Sequence, residues 1–168
     1  MKSNKGFSLI ELLIVVVIIG IIAAIAIPNL LASRRSANEG SAISSLRTYH
    51  SAQATYASTL GNGDYAGVPF VTNAFQTLAA NGLMDSTFAT GQKSGYVFAG
   101  HSEPRSPSQA ACHLAQAYPA TASGVTQTGT RIFVIATEGV MNAGPYTGAA
   151  GWGPGTCDIS PALSPIQN

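Results

Sequence analysis

The hydrophobic pattern divides the chain into a long apolar beginning and a mixed remainder. After a short polar leader, an almost unbroken apolar run extends to Ile27, and it opens with Gly6-Phe7-Ser8-Leu9-Ile10-Glu11-Leu12-Leu13. About 20 consecutive apolar residues are enough for a helix to cross the hydrocarbon core of a bilayer. The run therefore predicts a membrane-spanning helix, which we place at residues 7–30.

A single carboxylate, Glu11, lies inside this apolar run. An unpaired charge in such surroundings costs roughly 2.5–3.5 kcal/mol. Either Glu11 reaches the headgroups at the end of the span, or it pairs with a positive charge from another copy of the chain. No small-residue cleavage site of the secretory type follows the run. A cut between Gly6 and Phe7 would retain the span and place a new amine within one helical turn of Glu11, which favours the second alternative.

Two residues weaken the predicted helix. Pro28 has no backbone N–H, so the carbonyl of Ala24 lacks its helical donor, and Gly20 adds a second weak point. We therefore expect a bend or a local loosening between them.

The pattern changes after Asn29 to that of an amphipathic helix. A set of mostly apolar residues recurs at three-to-four spacing, and polar residues occupy much of the other surface. The first set is Ala42, Leu46, Tyr49, Gln53, Tyr56 or Ala57, and Leu60, and the second is Arg34, Arg35, Glu39, Ser44, Arg47 and Ser51. This predicts that residues 31–60 continue the span as the spine helix of a head, ended by the turn-forming segment Gly61-Asn62-Gly63-Asp64.

Residues 61–168 predict a small head with a sheet. A short helix is expected around 75–83, and apolar runs bounded by Gly, Pro and Ser at 96–99, 112–118 and 131–136 predict successive strands. After Asn142 the chain is rich in Gly, Pro and Ala, and neither a helix nor a long strand fits. The fold class is α+β: a long bent N-terminal helix packed against a small antiparallel sheet.

The composition bears on the cellular compartment of the protein and on the kind of partner that it can bind. Charged residues make up only 9% of the chain, and removal of Lys2 and Lys5 with a leader of residues 1–6 would change the net charge from +1 to −1. Cys112 and Cys157 are the two cysteines, and in an oxidising compartment such a pair predicts a disulfide that ties the tail to the sheet. A low-charge surface suits the packing of subunits.

The remaining candidate chemistry is weak. His50, His101 and His113 are scattered and lack the spacing of a zinc site, and the acidic residues form no dense calcium loop. A nucleophile formed by the adjacent Cys112 and His113 is improbable, since neighbours on a strand point to opposite faces. We therefore expect no enzyme activity, no cofactor and no metal. Three dispersed cations, Lys93, Arg105 and Arg131, are also a poor footprint for nucleic acid.

The stretch from Lys5 to Leu13, with Pro28 closing the apolar run, resembles the N-terminus of type IV pilins and of the related pseudopilins of type II secretion. The segments Thr128–Phe133 and Glu138–Val140 resemble the last strand region of pilin heads. The resemblance implies that a prepilin peptidase cuts between Gly6 and Phe7 and methylates the Phe7 amine. It also implies that Glu11 meets the Phe7 amine of a neighbouring subunit during assembly.

The function implied by this resemblance is structural. The subunit would wait in the inner membrane with its head in the periplasm, and would then be polymerised with other copies by an inner-membrane assembly platform into an extracellular filament for adhesion, twitching motility or DNA uptake. Two alternatives remain open from the residues: a pseudopilin of type II secretion, and a minor tip subunit that binds a ligand or DNA.

Overall fold

The computed structural model describes residues 6–68, 73–148 and 157–166. The chain divides into two compact units, residues 1–34 and residues 35–168. Within the predicted leader, only Gly6 belongs to the described residues, and Trp152 in the tail lies outside them.

The first unit contains the beginning of helix α1, which is assigned from Leu9 to Thr59. Its large apolar side chains from Leu9 to Leu30 are all exposed, from 49% for Val15 to 80% for Leu9. α1 is the one described helix that is long and apolar enough to cross a membrane. Gly20 and Pro28 both lie inside the assigned helix, so the predicted bend between them stays a prediction.

The second unit contains the rest of α1 and the predicted sheet. After α1 come helix α2 (Ala74–Ala80) and a short 3₁₀ helix (Ser86–Thr90). Six strands then follow in the order of the sequence and pair as an antiparallel sheet. They are β1 (Gln92–Lys93), β2 (Tyr96–Glu103), β3 (Cys112–Pro119), β4 (Arg131–Ala136), β5 (Met141–Pro145) and β6 (Ser164–Pro165).

The α+β architecture predicted from the sequence is confirmed. The predicted spine helix ends at Thr59, one residue before the expected boundary, and the helix expected around 75–83 is α2, for which Asn81 is the C-cap residue. All three predicted strands are present as β2, β3 and β4.

The main core lies between α1 and one face of the sheet. α1 contributes Ala42, Leu46, Tyr49 and Ala52, all of which are buried. The helix-facing positions of the sheet alternate along each strand, as the two-residue period requires; they include Tyr96, Phe98, Ala115, Ala117, Phe133 and Ile135. Tyr49 stacks on Phe75 of α2 with ring centroids 4.4 Å apart, which ties the short helix into the same core.

The opposite face of the sheet carries a second, smaller core. Leu114, Ile132, Val134 and Ala136 are buried there, and partly buried residues of the tail pack against them. These tail residues are Tyr146, Cys157, Ile159 and Leu163. The tail therefore covers apolar surface that the sheet would otherwise expose to water.

The tail contributes more regular structure than the sequence indicates. β5 pairs with β4 over five positions, from Arg131 opposite Pro145 to Ile135 opposite Met141, and β6 pairs with β5. Gly and Pro have low strand propensity, so the local sequence gives no strand signal here. The backbone groups of the apolar strand β4 provide the pairing partner, and this tertiary contact overrides local propensity.

Candidate cleavage and assembly site at the start of α1

The Gly6–Phe7 peptide bond lies in non-helical chain immediately before α1. Phe7 is 82% exposed. A Cβ atom added to Gly6 would meet nothing within 4 Å, so packing within the chain does not require glycine at this position. The bond is therefore accessible to another molecule.

Glu11 makes one of the two hydrogen bonds of a capping box with Ser8. The backbone N–H of Ser8 donates to Oε2 of Glu11 at 3.0 Å, and α1 begins at the next residue, Leu9. A glutamate three residues after the N-cap satisfies a backbone donor that the helix leaves unpaired, and its negative charge suits the helix N-terminus. The backbone of Ser8 is thus a partner for Glu11 within the same chain, in addition to the headgroups and the neighbouring amine.

The end of the apolar run has its own local hydrogen bond. Pro28 interrupts the series of backbone hydrogen bonds of the helix, and the side-chain amide of Asn29 donates to the carbonyl of Ile25 at 3.2 Å. A side chain that bonds to the carbonyl four residues earlier competes with the backbone donor of its own residue. The helix assignment continues through this point.

Farther along α1, a buried carboxylate joins the helix to the sheet. Glu39 is only 8% exposed. Its Oε1 accepts from the backbone N–H and the hydroxyl of Thr130, both at 3.0 Å, and its Oε2 accepts from Nε of Arg131 at 2.9 Å and from Nη2 at 2.8 Å. Four charge-assisted contacts compensate for the cost of burying the carboxylate. This Glu39–Arg131 clamp holds α1 against the start of β4.

The assignment of Glu39 to the exposed polar surface was therefore wrong. The spacing of residues does indicate that Glu39 is buried. Glu39 precedes the buried Ala42 by three residues and Leu46 by seven, so it lies on the same helical face. The partner was not visible in the sequence, since Thr130 and Arg131 are about ninety residues away along the chain.

The three cations considered for nucleic acid are all paired within the head. Nη2 of Arg131 lies 2.8 Å from Glu39, Nε of Arg105 lies 3.9 Å from Asp64, and Nζ of Lys93 lies 3.9 Å from Asp85. Each carboxylate reduces the positive potential that a phosphate backbone would meet.

Two of the three histidines, which looked scattered in the sequence, come together in the core. The rings of His50 on α1 and His113 on β3 have centroids 5.2 Å apart, and Tyr49 and Tyr65 also pack on His113. His113 is 1% exposed. Burial, with a contribution from the charge of His50, lowers the pKa of His113 to about 3. Among the described residues no three potential ligands gather around a common point to hold a metal ion.

The predicted disulfide is present. Cys112 begins β3 and bonds to Cys157 in the tail, with the two Cα atoms 6.1 Å apart. Cys157 packs on the outer core with Ile159 and Leu163. The covalent bond therefore anchors the segment that covers the second face of the sheet.

Comparison with known proteins finds a match to a family motif at the N-terminus. Residues 1–27 match the prokaryotic N-terminal methylation motif. The chain is 64% identical over 39 residues to the type IV wide pilus major component PilA4 of Thermus thermophilus, which covers 23% of this chain and 30% of that protein. It is 47% identical over 53 residues to the type IV major pilin protein PilA of Myxococcus xanthus, covering 32% and 24%.

A longer but weaker similarity extends into the head. The chain is 29% identical over 95 residues to the type II secretion system core protein G of Escherichia coli, covering 56% of this chain and 62% of that protein. The matches thus span less than two thirds of the length of these relatives. No solved structure matches the chain.

These relatives are named as components of pili and of a secretion system. The fold, in which a long N-terminal helix packs on a small antiparallel sheet, agrees with the resemblance noted in the sequence. The methylation motif and the named relatives together support a similarity to type IV pilins and to type II secretion core proteins.

Proposed function

We propose that the chain is the structural subunit of a type IV pilus, matured at its N-terminus and polymerised into a helical filament. The observation that carries this proposal is the combination of the methylation motif with the apolar surface that follows it. A helix that is apolar on all sides requires either a membrane or the core of a larger assembly. A filament subunit uses both environments in turn.

Maturation takes place between Gly6 and Phe7. The bond precedes α1, and nothing within 4 Å occupies the space beside Gly6, so a prepilin peptidase can bind the glycine as part of an extended substrate. Cleavage removes Lys2 and Lys5 and leaves the amine of Phe7 as the site of methylation. The apolar segment remains with the mature subunit.

Glu11 sets the axial register between subunits. In the free subunit its Oε2 accepts from the backbone of Ser8, which holds the carboxylate beside the helix N-terminus. In the filament the carboxylate lies among apolar side chains and pairs with the Phe7 amine of a neighbouring subunit. A shifted register would leave both charges unpaired in a medium of low dielectric constant, which is strongly unfavourable.

Before assembly the subunit is held in the inner membrane by residues 7–30, with its head in the periplasm. The Cys112–Cys157 disulfide supports this orientation, because disulfides persist in oxidising compartments such as the periplasm. An inner-membrane assembly platform would then move subunits from the membrane into the growing filament, which extends outside the cell.

A pseudopilin of a type II secretion system is the second candidate. The similarity to core protein G of Escherichia coli covers a larger share of both chains than either pilin match does. The higher identity to the pilus components over shorter segments favours the type IV pilus.

The test is to shear cells of the native host and to analyse the released filaments by electron microscopy and mass spectrometry. This protein as the dominant species, beginning at N-methylated Phe7, is the expected result. Trace amounts beside another subunit would indicate a minor tip component. A subunit that remains in the envelope, together with loss of protein secretion on deletion of its gene, would establish the pseudopilin instead.

A further inference from the structure

Three carboxylates gather at one end of the sheet. Glu103 ends β2 directly opposite Cys112, the first residue of β3. The disulfide brings Cys157 to the same place, and Asp158 is the next residue of the chain. We call this the disulfide end of the head.

The third carboxylate, Glu138, reaches the same end from β4. The backbone N–H of His113 donates to Oγ1 of Thr137 at 2.9 Å, and the hydroxyl of Thr137 donates in return to the carbonyl of His113 at 3.2 Å. Glu138 follows Thr137 in the turn between β4 and β5. Glu138 and Asp158 are exposed, while Oε1 of Glu103 is buried without a hydrogen-bond partner.

Within the described residues, none of these three carboxylates belongs to an ion pair. The other charged groups near this end are Asp64 and Arg105, which pair with each other, and Arg47, which lies beside Gly139 and Val140. The disulfide end therefore carries an excess of negative charge.

The other end of the head carries an unpaired cation. Arg35 lies one helical turn before Glu39, which binds Thr130, and the side chain of Asn38 donates to the carbonyl of Thr128. Arg35 is thus at the Thr128–Arg131 end of the sheet, where Arg131 is neutralised by Glu39. The Nε atom of Arg35 is buried without a hydrogen-bond partner, and no described carboxylate forms an ion pair with this guanidinium.

The two ends are separated along α1. The helix contacts the Thr128–Arg131 end through Glu39, and three turns later His50 contacts His113 and faces Gly139. The head therefore presents negative charge at one end of this helical segment and positive charge at the other.

We propose that the disulfide end of one head binds the Arg35 end of a second copy of this chain, with Glu103, Glu138 and Asp158 facing Arg35 of the next subunit. This contact rests on the proposed filament function. An interface between two different patches repeats without closing and generates a helical filament. Complementary charge fixes the orientation of such a contact and disfavours the association of like ends.

The experiment measures the yield of sheared filaments from cells whose only copy carries Arg35→Glu. Charge reversal at a contact between unlike charges should lower the yield about tenfold or more, while the envelope retains the normal amount of disulfide-bonded subunit. Arg47→Glu is the matched control, because it makes the same charge change at an exposed position of the same helix but beside the disulfide end. There it adds negative charge to the patch that faces Arg35, so its yield should be no lower than that of the wild type.

Exchanging the charges of the two partners tests whether they contact each other. Arg35→Glu is combined in turn with Glu103→Lys, Glu138→Lys and Asp158→Lys, and at least one combination should recover filaments. Wild-type yield from Arg35→Glu alone, or no recovery in any of the three combinations, would overturn the contact and leave the filament function standing. Absence of this protein from the sheared filaments of the wild type would overturn both.

Discussion

The two halves of α1 use the same secondary structure in opposite environments. Between Leu9 and Leu30 every large apolar side chain is about half exposed or more, whereas Leu46 and Tyr49 in the second half are fully buried against the head. Both halves belong to one continuous α-helix. The difference shows that the first half requires an apolar environment supplied by other molecules, while the second half finds its own within the chain.

The largest expected effect concerns the one carboxylate of the exposed half. Glu11→Ala should abolish filaments while leaving the subunit in the membrane, because an unpaired Phe7 amine costs roughly 2.5–3.5 kcal/mol in apolar surroundings and the cost recurs at every subunit. Filament yield and membrane content of the subunit are the measurements. The folding of the head should be unchanged.

Glu11→Gln separates the two roles of this side chain. The amide oxygen can still accept from the backbone of Ser8, as Oε2 does at 3.0 Å, but the charge is lost. We expect no filaments from this variant either. Normal assembly by Glu11→Gln would show that helix capping is sufficient and that the charge does not set the register.

The second-largest expected effect is a loss of stability of the head when its disulfide is removed. Replacing both Cys112 and Cys157 by serine should lower the free energy of unfolding by about 4 kcal/mol, as the chain-entropy relation gives for a closed loop of this length, since 45 residues separate the cysteines. Chemical denaturation of the full chain in detergent, followed by near-ultraviolet circular dichroism, measures it. Wild-type protein in reductant should show the same loss; an unchanged midpoint would mean that the outer core alone holds the tail.

Two leucines, one in each half of α1, test the difference between the exposed half and the buried half directly. Leu46→Ala should lower the free energy of unfolding of the head by about 3 kcal/mol, since it leaves a cavity in a packed core, whereas Leu13→Ala should leave it unchanged. Leu46 is 0% exposed and Leu13 is 55% exposed. The same denaturation experiment measures both, and equal losses would contradict the division of α1 into two environments.

The smallest effect is a pH dependence that originates at His113. Its pKa is about 3 in the folded head and near 6.5 in an unfolded chain, so the unfolded state binds more protons at pH 5. Stability is therefore complete above pH 6.5 and falls as the pH is lowered towards 3. The loss between pH 7 and pH 5 should be about 2 kcal/mol.

This interval lies above the range in which ordinary carboxylates titrate and within that of histidines, so a variant of His113 is needed to assign the dependence to this residue. Among the described residues, the titratable groups packed on His113 are His50, Tyr49 and Tyr65. His113→Phe should remove most of the dependence between pH 7 and pH 5 in denaturation measured at several pH values. A slope that persists in this variant would assign the titration to another group.

Much of the fold was readable because its signals are local. The apolar run, the amphipathic period after it and the short β-rich segments each depend on neighbouring residues, and they predicted α1, α2 and the strands β2, β3 and β4 within a few positions. The disulfide was predictable from the count of two cysteines together with their expected placement in an oxidising compartment. The roles of Gly6, Phe7 and Glu11 in maturation and assembly remain predictions from the motif.

The rest depended on contacts between distant parts of the chain. Glu39 reads as a surface residue until Thr130 and Arg131 surround its carboxylate, and His50 and His113 are unrelated until α1 packs on β3. The strand β5 exists because β4 offers unpaired backbone groups to a Gly- and Pro-containing segment.

The sequence by itself determined that the N-terminal segment is an apolar helix with a single internal carboxylate, since composition and period are properties of consecutive residues. Only the tertiary structure decided which polar groups the head buries and how its tail closes the sheet. The physical reason is that the energy of a buried charge, a ring contact or a strand pairing depends on a partner whose position is set by the folded chain.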